Sequence, residues 1–432
     1  MHDWQKHYKD RLISAEQAAA MVKSHNTIVF TMGREAFAVG LAVAARKEEL
    51  KDVTVIALTP TYDFGWYDEG WQDSFKIKIG MPTATCQDAV DNRRCDIIPF
   101  PIASALIKDP DVVLTEISTP DDKGFCSFGQ SLWNKKAQIR EGKVVIAEVN
   151  HNLIRTYGEN FIHVSEIDYF VEHISSGIGI ATGSLAGRTK KEPEPHLKSI
   201  VENVSKLIND GDTIQIGVGR TTESLVSLGM LDGKKNIGMH SEATPPGVIT
   251  LVKQGVINGS CKTINSGKVT VTSLGGGSVE EMTWASNNPL FELVDVDYLE
   301  DLRIIAAHDS MVAINNALTV QLDGQIGAQT IGRRIISAAG GQTAFVVGAL
   351  ASKGGKSITV LPSTWSSASR IVGTFQPGTI VTIPQNLADY VVTEYGIASL
   401  RGKSLRERAQ ELITIAHPDC RSDLQKEAAL LF

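Results

Sequence analysis

The sequence predicts an α/β protein of two domains, and three observations lead there. A chain of 432 residues exceeds one ordinary core, so two domains of roughly 200 residues each are the default. Short runs rich in Val and Ile recur with little polar alternation, the pattern of parallel strands covered on both faces. Helix-like or loop segments separate them, which suits α/β units joined by right-handed crossovers.

Ser14-Ala-Glu-Gln17 reads as a capping box opening a helix to about Ser24. Thr27–Phe30 is a short buried strand, followed by a helix-like run from Glu35 to Lys47. Further strands are expected at Val53–Leu58, Asp96–Phe100, Val112–Ile117 and Val144–Val149. Ile180–Pro195 changes character, with small residues and then the mixed charges of Arg188–Glu194, a solvated linker. The boundary is therefore placed near residues 185–200, giving domains of 1–190 and 191–432. A helix from His196 to Ile208 and the strand Thr213–Ile216 open the second set. Later strands are expected at Asn236–Met239, Val269–Ser273, Leu290–Val296, Ala344–Val347, Ile358–Leu361 and Ile380–Ile383, with a closing helix at Leu405–Ala416.

Composition excludes several classes of function. The 42% hydrophobic and 21% charged fractions are those of an ordinary soluble globular protein. A net charge of -7 without a dominant Lys/Arg block argues against a nucleic-acid surface. The five cysteines are odd in number and match neither a zinc site nor a disulfide framework. No secretory h-region opens the chain, and no apolar run is long enough to cross a bilayer. A cytoplasmic protein with reduced thiols is the expectation.

The most informative residue is Glu242, in His240-Ser-Glu-Ala-Thr-Pro-Pro-Gly247, where a β-like stretch gives way to a Pro/Gly turn. A carboxylate at the carboxyl end of an α/β strand points into the crevice where such folds bind ligands. It is also a competent covalent nucleophile in a suitable environment. Glu394, at the strand-to-turn junction Tyr390–Gly396, is its main rival.

Three glycine turns accompany these carboxylates. Gly217 and Gly219 follow a strand and precede a helical run, either exposing backbone N–H groups to an anion or simply making a tight turn. The third glycine of a dinucleotide fingerprint is missing, so a nicotinamide cofactor is not expected. Gly340 and Gly341 can expose consecutive amides, as a developing oxyanion requires, or serve only as a turn. Gly355-Lys-Ser357 ends like a phosphate loop, but Leu350 occupies the place of its opening glycine. Lys353 and Lys356 remain candidate point charges for an anionic ligand, or solvated loop lysines. His240 and Glu242 lack a third metal ligand, and His417-Pro-Asp419 reads as a capping and packing element at a helix end. Ser363 and its hydroxyl neighbours lack a hydrolase elbow. Arg155 reads either as a crevice guanidinium or as a loop brace.

Taken together, the chain resembles the acetyl-CoA hydrolase/transferase family, in its 4-hydroxybutyrate or butyrate CoA-transferase branch. The landmarks are Val144–Asn150, Phe161–Ser165, Ile237–Glu242, Gly340–Gln342, Gly354–Ser357, Leu361–Thr364, Val391–Gly396, Leu400–Ser404 and Ala416–Asp419. The resemblance implies two open-sheet α/β domains of the CoA-transferase type with the active site between them. It implies Glu242 as the nucleophile and Gly340–Gly341 as the oxyanion and thioester loop. It assigns Gly217, Gly219, Met311 and Asn315 to the coenzyme cleft, beside Lys353 and Lys356. Gln342, Ala344 and Glu394 are assigned to the acid pocket. No metal or tightly bound cofactor is implied; coenzyme A and acyl-CoA are substrates, and a homo-oligomer is expected.

The implied reaction moves CoA between an acyl-CoA and a short or medium carboxylic acid, through a glutamyl anhydride and a glutamyl-CoA thioester. Several positions depart from the branch. Ala344 and Val347 replace an acidic and a basic residue, Ala338 stands where glycine is usual, and Gln321 stands where Asp is common. Two alternatives therefore stand beside transfer: acyl-CoA hydrolysis, and CoA-ester binding without catalysis.

Overall fold

The computed structural model describes residues 4–99, 106–177 and 196–432. The linker expected at Ile180–Pro195 lies outside them, as does Phe100. The chain forms two compact units, Met1–Thr189 with Thr272–Asp297, and Lys190–Val271 with Tyr298–Phe432.

The first unit is built on an eight-stranded sheet. Its order is Leu12–Ile13, Tyr169–Glu172, Val144–Val149, Val112–Ile117, Thr27–Phe30, Val53–Ala57, Phe75–Ile79 and Cys95–Ile97. All neighbouring pairs run parallel. Val112–Ile117 is buried at every position, which explains why it reads as a largely apolar strand although it carries Thr115 and Glu116. Phe75–Ile79 alternates buried and more exposed residues, and the lysines of Phe-Lys-Ile-Lys-Ile conceal it from a search for continuous apolar runs. The capping box forms as expected: Ser14 Oγ accepts from the Gln17 N–H and the Gln17 side chain accepts from the Ser14 N–H. Its helix is shorter than expected, Ala15–Ala19. The strand Phe291–Leu293 pairs with Tyr157–Gly158, so a segment from the later sequence is fastened to this unit by backbone hydrogen bonding.

Charge is buried at the carboxyl edge of this sheet. Arg34 Nε donates to Glu116 at 2.8 Å, and Asn150 Nδ2 donates to the other Glu116 oxygen at 2.9 Å. Glu148, facing Glu116 in register, accepts from the Ala38 N–H and pairs with His173. Arg34 and Glu116 are almost wholly excluded from water.

In the second unit, strands Gly396–Ser399, Tyr390–Thr393, Lys356–Val360, Met311–Asn316, Thr213–Ile216 and Gly238–Ala243 lie side by side in that order. The first pair is antiparallel and the rest are parallel. Across its middle, Gln215 and Asn315 exchange two amide hydrogen bonds of 3.1 Å each, satisfying two buried polar side chains reciprocally. The closing helix spans Leu405–Ile415, and a further helix, Pro418–Leu431, follows it. His417 caps the start of that last helix, accepting from the Asp419 N–H, with Pro418 at the first helical position.

Three expectations need correction. Ala344–Val347 is not a strand but part of the helix Gln342–Ala351. An apolar run buried on all sides has the same pattern in either form, and ten ordered residues are long for a strand. Leu290–Val296 contributes only Phe291–Leu293. Ile380–Ile383 forms no strand; Ile383 alone makes an isolated bridge to Ile326.

Replacing Arg34 with Met leaves Glu116 buried without its cation. The expected cost is about 3–5 kcal/mol, read as a lower urea midpoint at unchanged m-value.

Candidate functional site

Glu242 stands one residue from the end of Gly238–Ala243. Parallel register aligns Thr213 with Gly238 and Ile214 with Met239, which puts Glu242 at the carboxyl edge of the second unit's sheet. Pro245 and Pro246 stop the strand, and Gly247, at φ 94°, opens the helix Val248–Lys253. That left-handed backbone suits glycine, which has no Cβ to clash.

His240 and Glu242, two apart on an extended strand, project to the same side. Both meet the segment Leu299–Glu300. His240 Nε2 donates to the Leu299 carbonyl at 2.7 Å, and the Glu242 carboxyl is hydrogen-bonded to that of Glu300. The Gly341 N–H donates to Glu242 as well. Two carboxyl groups in mutual hydrogen-bond contact must share at least one proton. Burial pushes the Glu242 carboxyl up to about 7, while the hydrogen bonds from Glu300 and Gly341 pull the other way without cancelling it.

Behind this pair lie two neutral imidazoles. The His240 and His308 rings lie 4.7 Å apart between centroids, and burial drives both imidazoles down, His308 to about 3. The buried cation beyond them, Lys262, is occupied by the Met239 and Lys268 carbonyls and the Thr270 hydroxyl. No imidazolium stands ready to neutralise Glu242, so the carboxyl pair keeps a shared proton.

The two glycines of the 340–341 turn have different reasons to be glycine. Gly340 has φ 55°, in the left-handed region. Gly341 caps the helix Gln342–Ala351 at an ordinary φ of -80°. There the constraint is space: an added Cβ would lie 2.6 Å from Glu300 Oε1 and 2.9 Å from Glu242 Oε2.

The remaining sequence-predicted residues divide by sheet edge. Gly217, Gly219, Asn315, Gln342 and Glu394 gather at the carboxyl edge with Glu242. Gly217 and Gly219 give room to the side chains of Asn315 and Asn316, and Thr222 ties the turn by accepting from Asn316 Nδ2 at 2.7 Å. The Asn315 amide is engaged with Gln215. Gln342 Nε2 donates to the Asn316 carbonyl at 3.3 Å, and half-buried Ala344 follows on the same helix. Glu394 is held by Ser363, whose hydroxyl and N–H donate to its two oxygens at 2.6 and 2.9 Å.

Met311, Lys353 and Lys356 are not brought to Glu242. Met311 is buried at the opposite, amino edge of the sheet. Lys356 Nζ donates to the Leu207 carbonyl at 2.8 Å, and Lys353 is exposed beside Asp309. Arg155, in the first unit, braces a loop by donating to the Thr119 and Phe125 carbonyls, the Ser118 hydroxyl and Asp121. Among the described residues, no group of three or more His, Cys, Asp or Glu is arranged to hold a metal, and no helix is long and apolar enough to cross a membrane.

Sequence reasoning missed Glu300. It sits in Asp297-Tyr-Leu-Glu-Asp301, an acidic stretch that resembles a solvated turn, yet it is 4% exposed. Only the pairing of Leu299 and Glu300 with His240 and Glu242 reveals it.

Comparison with known proteins agrees with this architecture. Residues 1–180 match the acetyl-CoA hydrolase/transferase N-terminal domain and residues 277–428 match the C-terminal domain of the same name. The chain is 39% identical to the 4-hydroxybutyrate coenzyme A transferase of Clostridium kluyveri, over 98% of this chain and 99% of that one. It is 33% identical to the succinyl-CoA:cyclohexane-1-carboxylate CoA transferase of Geobacter metallireducens, over 98% and 96%. Among solved structures, 4-hydroxybutyrate CoA-transferase from Porphyromonas gingivalis superposes with a TM-score of 0.79 at 31% identity, covering 100% of both chains. RipA from Yersinia pestis superposes with a TM-score of 0.90 at 28% identity, covering 99% of each.

Glu242→Gln removes an ionisation that its partly buried site resists. The sign follows from a folded-state pKa near 7 against an ordinary value of 4.5. The cost of Glu242 is absent below the unfolded value, grows between the two and is complete above pH 7. Thermal melts should therefore show Glu242→Gln stabilised at pH 8, by at most about 3 kcal/mol, and nearly unchanged at pH 4.

Proposed function

Because the chain belongs to the acetyl-CoA hydrolase/transferase family, we propose that it transfers CoA between an acyl-CoA and a short or medium carboxylic acid, with Glu242 as nucleophile. The observation that carries this reading is the Glu242 carboxyl at a sheet's carboxyl edge, contacted by Glu300 and the Gly341 N–H.

Ionised Glu242 attacks the thioester carbonyl carbon, and the electron pair of the C=O bond moves to oxygen. The N–H of Gly341, which donates to Glu242 in the resting state, is the donor offered to that oxyanion. Collapse breaks the C–S bond, giving an acyl-glutamyl anhydride and a CoA thiolate. The thiolate then attacks the Glu242 carbonyl carbon, forming a glutamyl-CoA thioester and expelling the original acid as a carboxylate. The incoming carboxylate attacks that thioester and the sequence runs in reverse. Each step exchanges one activated acyl bond for another, which is the advantage of the covalent route. Glu300 in its protonated form donates to Glu242 and favours the ionised nucleophile without adding a second negative charge.

The names of the relatives support an acid of short or medium length. They span a hydroxylated chain and an alicyclic ring, so this reading does not extend to a single acid. A cytoplasmic homo-oligomer belongs to the same reading, supported by the prevalence of symmetric assemblies.

Incubation with acetyl-CoA should add one CoA to the intact protein, and borohydride should reduce the thioester at residue 242. Absence of any adduct, together with full transfer by Glu242→Gln, would overturn the assignment. CoA release that ignores acceptor acids and yields no new acyl-CoA would indicate hydrolysis instead. Transfer should rise with pH through about 7 as Glu242 ionises. In Glu300→Ala that midpoint moves upward, because a hydrogen bond lowering the Glu242 pKa is lost; Glu300→Gln keeps a donor and holds it near the parent value. Gly341→Ala should leave the fold intact and reduce kcat at least about tenfold, since its methyl displaces both carboxyls.

A further inference from the structure

One aromatic side chain of the second unit stands out in solvent beyond the carboxylate pair. Trp365 is 52% exposed, on the small hairpin that pairs Thr364–Trp365 with Ala368–Ser369. The Arg220 guanidinium carbon lies 5.1 Å from the centre of its ring and that of Arg370 lies 5.4 Å away. Arg220 is itself exposed and belongs to the Gly217–Thr222 turn, immediately after the strand Thr213–Ile216. The hairpin follows Lys356–Val360, so both segments leave the same carboxyl edge as Glu242.

An exposed indole left to itself favours burial, and the exposed Arg220 guanidinium beside it adds positive charge to an apolar surface. The combination suits a ligand with a flat aromatic ring and several negative charges. Guanidinium planes and indole faces both stack with bases, and guanidiniums pair with phosphate oxygens. Three strand spacings separate the strand leading to Trp365 from the one bearing Glu242, a lateral gap of about 14 Å. A ligand joining the two places needs a reactive group at one end, a long flexible arm and a phosphorylated nucleotide at the other. Acyl-CoA has that construction.

We propose that Trp365, Arg220 and Arg370 seat the nucleotide end of coenzyme A, with adenine stacked on the ring and guanidinium platform and the phosphates paired with Arg220. The proposal rests on the reading of the chain as a CoA-transferase, and it moves CoA recognition away from Met311, Lys353 and Lys356. Remote binding of this kind holds the thioester against the nucleophile.

The test compares acetyl-CoA with S-acetylpantetheine, which lacks the nucleotide. In Trp365→Ala and Arg220→Ala the KM for acetyl-CoA should rise about tenfold, while kcat/KM for S-acetylpantetheine stays at the parent value. Equal losses on both substrates, or no change on either, would overturn the proposal. Calorimetric titration with adenosine 3′,5′-bisphosphate separates this proposal from the proposed activity. If the parent binds the bisphosphate and Trp365→Ala binds it about tenfold more weakly, the seat stands even in a chain that transfers nothing. Equal binding by parent and variant removes the seat even in an active enzyme.

Discussion

The hydrogen bond between the Glu242 and Glu300 carboxyl groups is the constraint on which the site depends. Two such groups cannot both ionise at contact without strong repulsion, so a proton must remain between them. The rest of the local structure is consistent with that requirement. His240 and His308 are driven neutral by burial, and Lys262 is committed to carbonyl and hydroxyl oxygens. Gly341 has no side chain where one would collide with both carboxyls. The arrangement holds a carboxyl of raised pKa, a stronger base when ionised than an ordinary carboxylate.

The two units treat buried charge differently. At the carboxyl edge of the first sheet, Glu116 is neutralised by Arg34 and further bonded by Asn150, and Glu148 pairs with His173. Glu116 and Glu148 each have a basic neighbour, whereas Glu35, buried just after Thr27–Phe30, accepts from the Thr61 and Tyr62 N–H groups and is pushed up to about 7 by burial. At the corresponding edge of the second sheet, Glu242 has an acid for a neighbour and no cation at hydrogen-bonding distance among its assigned contacts. A carboxyl beside another acid can change state as chemistry demands.

Much of this was legible in the sequence because the signals were local. The Val- and Ile-rich strands Val112–Ile117 and Val144–Val149, the Ser14 capping box and the Pro-Pro-Gly stop after Glu242 all depend on near neighbours. Glu300 was illegible because its meaning comes from a partner 58 residues earlier, and its own surroundings in sequence are acidic. Phe75–Ile79 escaped notice because its lysines occupy alternate positions. Ala344–Val347 was misassigned because fully buried helices and strands look alike in short apolar windows. The lysines of the 353–356 loop showed the complementary failure: charge beside glycine suggested an anion site, and the sheet direction sets them at the far edge from Glu242.

The fastening of Phe291–Leu293 to Tyr157–Gly158 also matters for biogenesis. The first compact unit includes residues up to Asp297, so it cannot finish folding when its first 189 residues leave the ribosome. Chains ordinarily fold domain by domain as they emerge. Here the eight-stranded sheet can form from residues up to Glu172, while Tyr157–Gly158 waits for its partner Phe291–Leu293 to be translated. A ribosome stalled before codon 297 would carry a chain with neither unit complete, and chaperone occupancy during synthesis should be greatest over that interval.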